Sequence, residues 1–265
     1  MLHYLDHGAG PSVVLVHGLF LNSSVWERLT SVLASHARCV VPDLPLGGHR
    51  IPMNDADRSP PGLARMIAEL IERLQLEHVT VVGNDTGGAL CQILCATHPE
   101  LVARLVLTNC DAFEHFPPFP FRMIRYAAGY LPGLIEGLDL ALRVPLLRRA
   151  MANSPVTIEP LPDHLLTRWF EPLHDRRVRA DVRAVLRGIS ARHTLQAAER
   201  LTNFHRPTLI VWGAQDKFFP LSDAIRLTRV LPCARLETIQ NARTFVQLDQ
   251  PRRLAELIIG PGSDQ

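Results

Sequence analysis

No histidine follows His205 in this 265-residue chain. Chemistry that draws an imidazole from the last stretch of sequence is therefore excluded, and no other side chain ionises unaided so close to neutral pH. Lysine is nearly absent, with Lys217 the only one, so arginine supplies the positive charge. A net charge of +2 gives no reason to expect a nucleic-acid partner. There is no apolar run of about 18 residues, which argues against a membrane span and a membrane partner. Met1–His7 shows neither the basic flank nor the apolar stretch of a signal peptide. The cysteines are five, an odd number without metal-ligand spacing. Cys91 and Cys95 share a helical face and read as buried free thiols. These features fit a reducing cytoplasm.

What is present points to a packed globular protein. Hydrophobic residues make up 47% of the chain and mean hydropathy is +0.07, ample for a sizeable core. Short apolar runs alternate with helical patterns. Val13–Val16, Cys39–Val41, Val79–Val82, Leu105–Leu107, Leu209–Trp212 and Leu236–Ile239 read as strands. Ser23 or Ser24 is a candidate cap for the first helix, and 61–75 carries an apolar face at helical spacing. Strands alternating with helices imply a mostly parallel α/β sheet with flanking helices.

Residues 112–205 break the rhythm with helical patterns and no strand. Within them, 175–189 is amphipathic, with a valine stripe (Val178, Val182, Val185) beside an arginine stripe. The insert carries thirteen arginines against nine acids. It falls where ligands bind in open α/β sheets, at the carboxyl end of the strands. The chain is accordingly expected to be a core (1–111 and 206–265) with an all-helical cap (112–205). The cap should shape an apolar pocket, with Phe116, Phe119, Met123 and Trp169 as candidate lining.

The sharpest local signal is Val81-Val82-Gly83-Asn84-Asp85-Thr86-Gly87-Gly88-Ala89. An apolar strand ends in Gly-x-x-x-Gly and passes straight into a helix, a corner that lifts its middle residue above the sheet. That residue is Asp85. A carboxylate so held can attack carbon and form an ester. The positive helix end should keep it ionised. A bland alternative is that Asp85 simply caps the helix.

His17-Gly18-Leu19-Phe20, Asp43-Leu44-Pro45, Gly83 to Gly88, Trp212 to Asp216 and Phe245 to Pro251 together resemble the α/β-hydrolase fold over nearly the whole chain. Within that fold the sequence is similar to the aspartate-nucleophile branch of haloalkane dehalogenases and epoxide hydrolases. The resemblance implies a cofactor-free, metal-free hydrolase of a small organic substrate. It implies Asp85 as nucleophile, backbone N–H groups of Leu19 and Thr86 as oxyanion hole, and Asp216 as the supporting acid. The His17 side chain reads as a buried structural imidazole. Where the branch has Gly-His-Phe this chain has Arg243-Thr244-Phe245, so Thr244 takes the histidine's place. A hydroxyl lacks the basicity of imidazole. His49 and His115 are candidate replacements, and Asp111 is a second acid or a turn cap.

Neither substrate class carries its own marker. Thr86 stands where dehalogenases commonly have a tryptophan, and Trp169 offers a donor or packing. Tyr126 and Tyr130, sharing one helical face, suit cap packing as well as catalysis. Three functions follow: a hydrolase working through an Asp85 ester; a lyase or isomerase with Asp85 and Asp216 as proton shuttles; or an inactive small-molecule-binding protein.

Overall fold

The computed structural model describes residues 2–53, 55–119, 121–152 and 155–260. Seven strands form one sheet: β1 (Tyr4–His7), β2 (Ser12–Val16), β3 (Arg38–Pro42), β4 (Thr80–Asp85), β5 (Arg104–Cys110), β6 (Thr208–Gly213) and β7 (Ala234–Ile239). Their order is β1-β3-β2-β4-β5-β6-β7. All neighbours are parallel except β1, which runs antiparallel along β3. Every residue of β2 and β6 is buried. Successive strand residues face opposite sides, so this continuous burial means both faces are covered.

The helices are α1 (Glu27–Leu33), α2 (Pro60–Arg73), α3 (Thr86–Thr97), α4 (Phe121–Tyr130), α5 (Leu134–Leu142), α6 (Pro145–Ala152), α7 (Asp163–Phe170), α8 (Arg176–Gly188), α9 (Ala191–Leu201), α10 (Leu221–Val230), α11 (Val246–Asp249) and α12 (Pro251–Ile259). α2 starts where the expected pattern does: the Ser59 side chain accepts from Gly62 N, and prolines open the first turn. The turn leading into α1 is capped by Asn22, whose side chain accepts from Ser24 N, rather than by Ser23 or Ser24. No helix among the described residues is long and apolar enough to cross a membrane.

Six helices, α4 to α9, lie between β5 and β6. Val178, Val182 and Val185 of α8 are fully buried, as their spacing predicts. The arginine stripe on α8 is only partly solvated. Arg183 grips Glu136 of α5, and Arg187 donates to the Gly129 carbonyl of α4. α9 packs on α3, a helix of the sheet layer.

Candidate active site

Asp85 ends β4 and turns directly into α3 with φ 54° and ψ −132°. That left-handed backbone is strained for a residue with a Cβ, and packing must hold it there. Gly87 allows the corner: a Cβ on it would stand 2.2 Å from the Val16 carbonyl oxygen. The Asp85 side chain makes no capping bond to α3. Instead its Oδ2 accepts from Leu19 N at 3.0 Å, and the Thr86 N–H acts on the same carboxylate. Leu19 and Thr86, read as an oxyanion pair, therefore converge on Asp85. Asp85 as a residue is partly exposed.

Burial pushes the Asp85 carboxyl up to about 7, the Asp216 charge adds to it, and the two N–H groups only partly oppose the rise. Desolvation outweighs the helix end expected to keep Asp85 ionised. Behind it, Asp111 is almost fully buried. Its Oδ2 accepts from the Thr86 hydroxyl at 3.1 Å and its N–H donates to the Asp85 carbonyl. Burial first, then the Asp85 charge, raise the Asp111 carboxyl well above the usual range.

Asp216, in the loop after β6, is clamped by four donors. Its Oδ1 accepts from Phe218 N (2.7 Å), Phe219 N (3.2 Å) and Thr244 Oγ1 (3.1 Å), and its Oδ2 from Asn109 Nδ2 (2.5 Å). Burial still raises its pKa. Thr244 is thus hydrogen-bonded to the acid. Two residues not anticipated from the sequence hold this frame. Asn109, fully buried, also accepts from Gly213 N at 2.7 Å. Asn84 donates to the Thr244 carbonyl at 2.8 Å and accepts from Gln247. A polar residue closing an otherwise apolar strand was the only sequence signal for either.

The two candidate bases are engaged elsewhere. His49 Nδ1 accepts from Gly47 N, leaving Nε2 to donate to Asp181 of α8 at 3.2 Å. With both ring nitrogens occupied it has no free lone pair for a proton. His115 pairs through Nδ1 with Asp223 of α10 at 2.7 Å. His17 is the buried structural imidazole expected: Nδ1 donates to the Gly18 carbonyl and Nε2 accepts from Leu44 N.

The cap residues sort themselves by burial. Trp169 spends its N–H on Ser24 Oγ at 3.0 Å and meets the Phe245 ring edge-on, so packing claims it. Phe116 is buried, whereas Phe119 and Met123 are 74% and 65% exposed and do not line a closed pocket. Tyr126 and Tyr130 are exposed under the guanidinium groups of Arg125 and Arg187, outside the cap core. A cavity of about 230 Å³ is lined by His3, Asp43, His49, Arg50, Ile51 and Met53, and touches neither Asp85 nor Asp216.

The site thus sets a strand-corner carboxylate before two N–H donors, with a second acid beyond the neighbouring strand. The family model for the alpha/beta hydrolase fold matches residues 11–251, and the chain belongs to that family. It is an α/β-fold hydrolase. Haloalkane dehalogenase 2 of Mycobacterium bovis is 26% identical over 286 residues, covering 97% of this chain and 90% of that one. A 2-hydroxy-6-oxononadienedioate/2-hydroxy-6-oxononatrienedioate hydrolase of Pseudomonas putida is 25% identical, with coverage of 97% and 90%. The crystal structure of an ancestral haloalkane dehalogenase superposes with a TM-score of 0.78 at 20% identity, covering 98% and 94% of the two chains.

Proposed function

We propose that the protein hydrolyses a small organic substrate (an epoxide, halide or ester) through an aspartyl ester on Asp85. The observation that carries this reading is the seat of the carboxylate: Oδ2 is held by Leu19 N at 3.0 Å, so Oδ1 is the oxygen left to attack. Attack forms a bond from Oδ1 to substrate carbon while the carbon–halogen bond, the epoxide carbon–oxygen bond or the alkyl–oxygen bond of the ester breaks. Halide or carboxylate leaves as the anion, and the opened epoxide oxygen takes a proton from water. Oδ2 then becomes the ester carbonyl oxygen, already beside the N–H donors that stabilise a tetrahedral oxyanion.

Hydrolysis of that ester needs a proton acceptor. The Thr244–Asp216 pair supplies the path in this reading: water attacks Cγ of the ester and gives a proton to Thr244 Oγ1 while Thr244 passes its own to Asp216 Oδ1. When the intermediate collapses the proton returns to the departing alkoxide. A hydroxyl relay is a poorer base than imidazole, so the ester should accumulate. The cap in this reading is α4 to α8, with α9 belonging to the sheet layer it packs on. The four buried, unpaired cysteines suit a reducing, cytoplasmic setting.

The deciding experiment is intact-mass analysis after incubation with a panel of epoxides, haloalkanes and activated esters. Parent protein should gain the whole mass of an epoxide, the mass of a haloalkane less hydrogen halide, or that of an ester less its carboxylic acid, and Asp85→Asn should gain none. A second reading, proton shuttling without an ester, draws on the Asp85 charge that raises the Asp111 carboxyl and the Asp216 charge that raises Asp85. It predicts turnover with no adduct and solvent deuterium in the product.

A further inference from the structure

Of the fourteen large apolar side chains exposed among the described residues, eleven fall between 119 and 147, on and around α4, α5 and α6. Met123, Leu140 and Leu146 are 65%, 67% and 76% exposed. Soluble monomers seldom show an apolar surface of that extent without a use for it. The stretch is also one-sided in charge. Its acids are ion-paired, half-exposed Glu136 with Arg183 and buried Asp139 with Arg143 and Arg179. Exposed along it, among the described residues, are Arg122, Arg143 and the half-exposed Glu136; the last two are each ion-paired, and Arg122 makes no ion pair among those residues.

This surface reaches the active site. The Phe121 ring of α4 packs on Phe218 with centroids 5.2 Å apart, and Phe218 N donates to Asp216 Oδ1. The exposed Lys217 stands in that same loop, and Leu221 and Ile225 of α10 continue the exposed apolar surface beyond it.

Against the expectation of no membrane partner, which the absence of a spanning helix among the described residues does not decide for surface docking, we propose that this face of the cap docks on an anionic phospholipid bilayer, with its leucine, methionine and tyrosine side chains entering the headgroup–acyl boundary. Arg122 and Lys217 meet the phosphates from the rim. Apolar side chains flanked by cationic ones are what an interfacial site needs, because burial supplies the attraction and charge selects the lipid. A second copy of the chain fits less well, since a twofold contact between exposed arginines of like sign is repulsive. Docked this way, the Asp216 loop faces the membrane and an apolar substrate can enter from the acyl phase. The docking stands independently of the ester chemistry.

The test is vesicle flotation with phosphatidylcholine alone and with phosphatidylcholine mixed with phosphatidylglycerol. The protein should float with the mixed vesicles, less so at raised salt. Leu146→Asp combined with Leu147→Asp should reduce binding roughly tenfold or more, as charge replaces inserted leucine. Arg122→Glu with Lys217→Glu should remove the preference for the anionic lipid. Met123→Ser serves as a milder variant, with thermal melting of each variant as the check on folding. No flotation with either composition overturns the proposal, as does flotation unchanged in every variant. Dimerisation abolished by Leu146→Asp, without lipid binding, would overturn it in favour of a second copy.

Discussion

Thr244 Oγ1 donates to Asp216 Oδ1 across 3.1 Å. In the branch this sequence resembles, that bond would run from an imidazole. Here the acid, its backbone donors from Phe218 and Phe219, and the side-chain clamp from Asn109 are all in place. The Thr244 backbone is held in turn by Asn84. The frame for a base is therefore complete, and a hydroxyl occupies it. On the proposed reading, chemistry that needs only Asp85 as nucleophile would be intact, while chemistry that needs a base would be handicapped.

Asp85→Asn separates these halves. It should abolish covalent labelling while leaving the fold near normal, because the two side chains are almost isosteric. The pH dependence gives a second readout. Only ionised Asp85 attacks, so the parent's labelling rate should climb as pH rises through about 7 and then level. Stability should move oppositely. A carboxyl raised in the folded state binds its proton more tightly there than in the unfolded chain, so stability is full below about pH 4 and is lost up to about pH 7. Asp85→Asn escapes that loss. Its melting advantage over the parent should grow across this window, by on the order of 1.4 kcal/mol for each pH unit crossed. A labelling rate flat from about pH 5 to 9 would rule out ionisation of Asp85 as the controlling step.

Thr244→His should return the missing base. The Arg243 guanidinium reaches the Thr157 carbonyl at 2.8 Å, so it already has an anchor in the insert and the single substitution should suffice. Any substrate that labels the parent should then be hydrolysed, with the second step gaining about 10²–10⁴-fold. Thr244→Val should act the other way, lengthening the life of the ester by breaking the relay. Ester decay at the parent's rate in Thr244→Val would move the proton path away from Asp216.

How far the site could be read from sequence depended on how local each signal is. β2 to β6 are buried on both faces and announce themselves as apolar runs, whereas Tyr4–His7 is a half-exposed edge strand with no such run. Asp85 was legible because its corner is built from five neighbouring residues. Asn84 and Asn109 were not, since their roles depend on Thr244 and Gly213, which lie 160 and 104 positions further on. His49 looked free for the same reason, its partner Asp181 being 132 residues away. Asp85 also misled on charge: the helix end was visible in the sequence and the burial that overrides it was not.

His49 should prove a tether and not a base. Its Nε2–H, the Met53 N–H and the Arg58 guanidinium all converge on Asp181, which α8 brings down fully buried from the insert. Removing one partner of a buried ionic cluster typically costs about 3–5 kcal/mol. Asp181→Ala should therefore lower the melting temperature steeply and increase proteolysis around α8. His49→Ala should do so more mildly, and neither should change the pH at which labelling of the surviving folded protein turns on. His115→Ala, which loses a half-exposed partner of Asp223, should leave both readouts near the parent's. A shift of the labelling profile in His49→Ala would restore that imidazole as a candidate base.

Gly18 lies hard against the proposed nucleophile. A Cβ placed there would stand 1.9 Å from Asp85 Oδ2 and 2.5 Å from its Cγ, closer than any real contact. Two relaxations are open to Gly18→Ala. The carboxylate can swing away, or the His17–Leu19 turn can retreat and carry the Leu19 N–H with it. Both separate Oδ2 from its donor, so both should cost reactivity in the same direction. Losing one donor of an oxyanion pair typically costs about 10²–10³-fold. Because His17 is pinned by Leu44 N and Phe20 N by the Leu46 carbonyl, the turn should move little and Asp85 should yield. The overpacking should cost about 1–3 kcal/mol of stability, leaving a folded protein to assay. Decay of the ester in Gly18→Ala should slow by that factor, and the pH midpoint of labelling should move upward as the carboxylate loses a hydrogen bond. Ester decay at the parent's rate would mean that the tetrahedral intermediate does not draw on Leu19 N, and the seat on which the aspartyl-ester reading rests would then carry no catalytic weight.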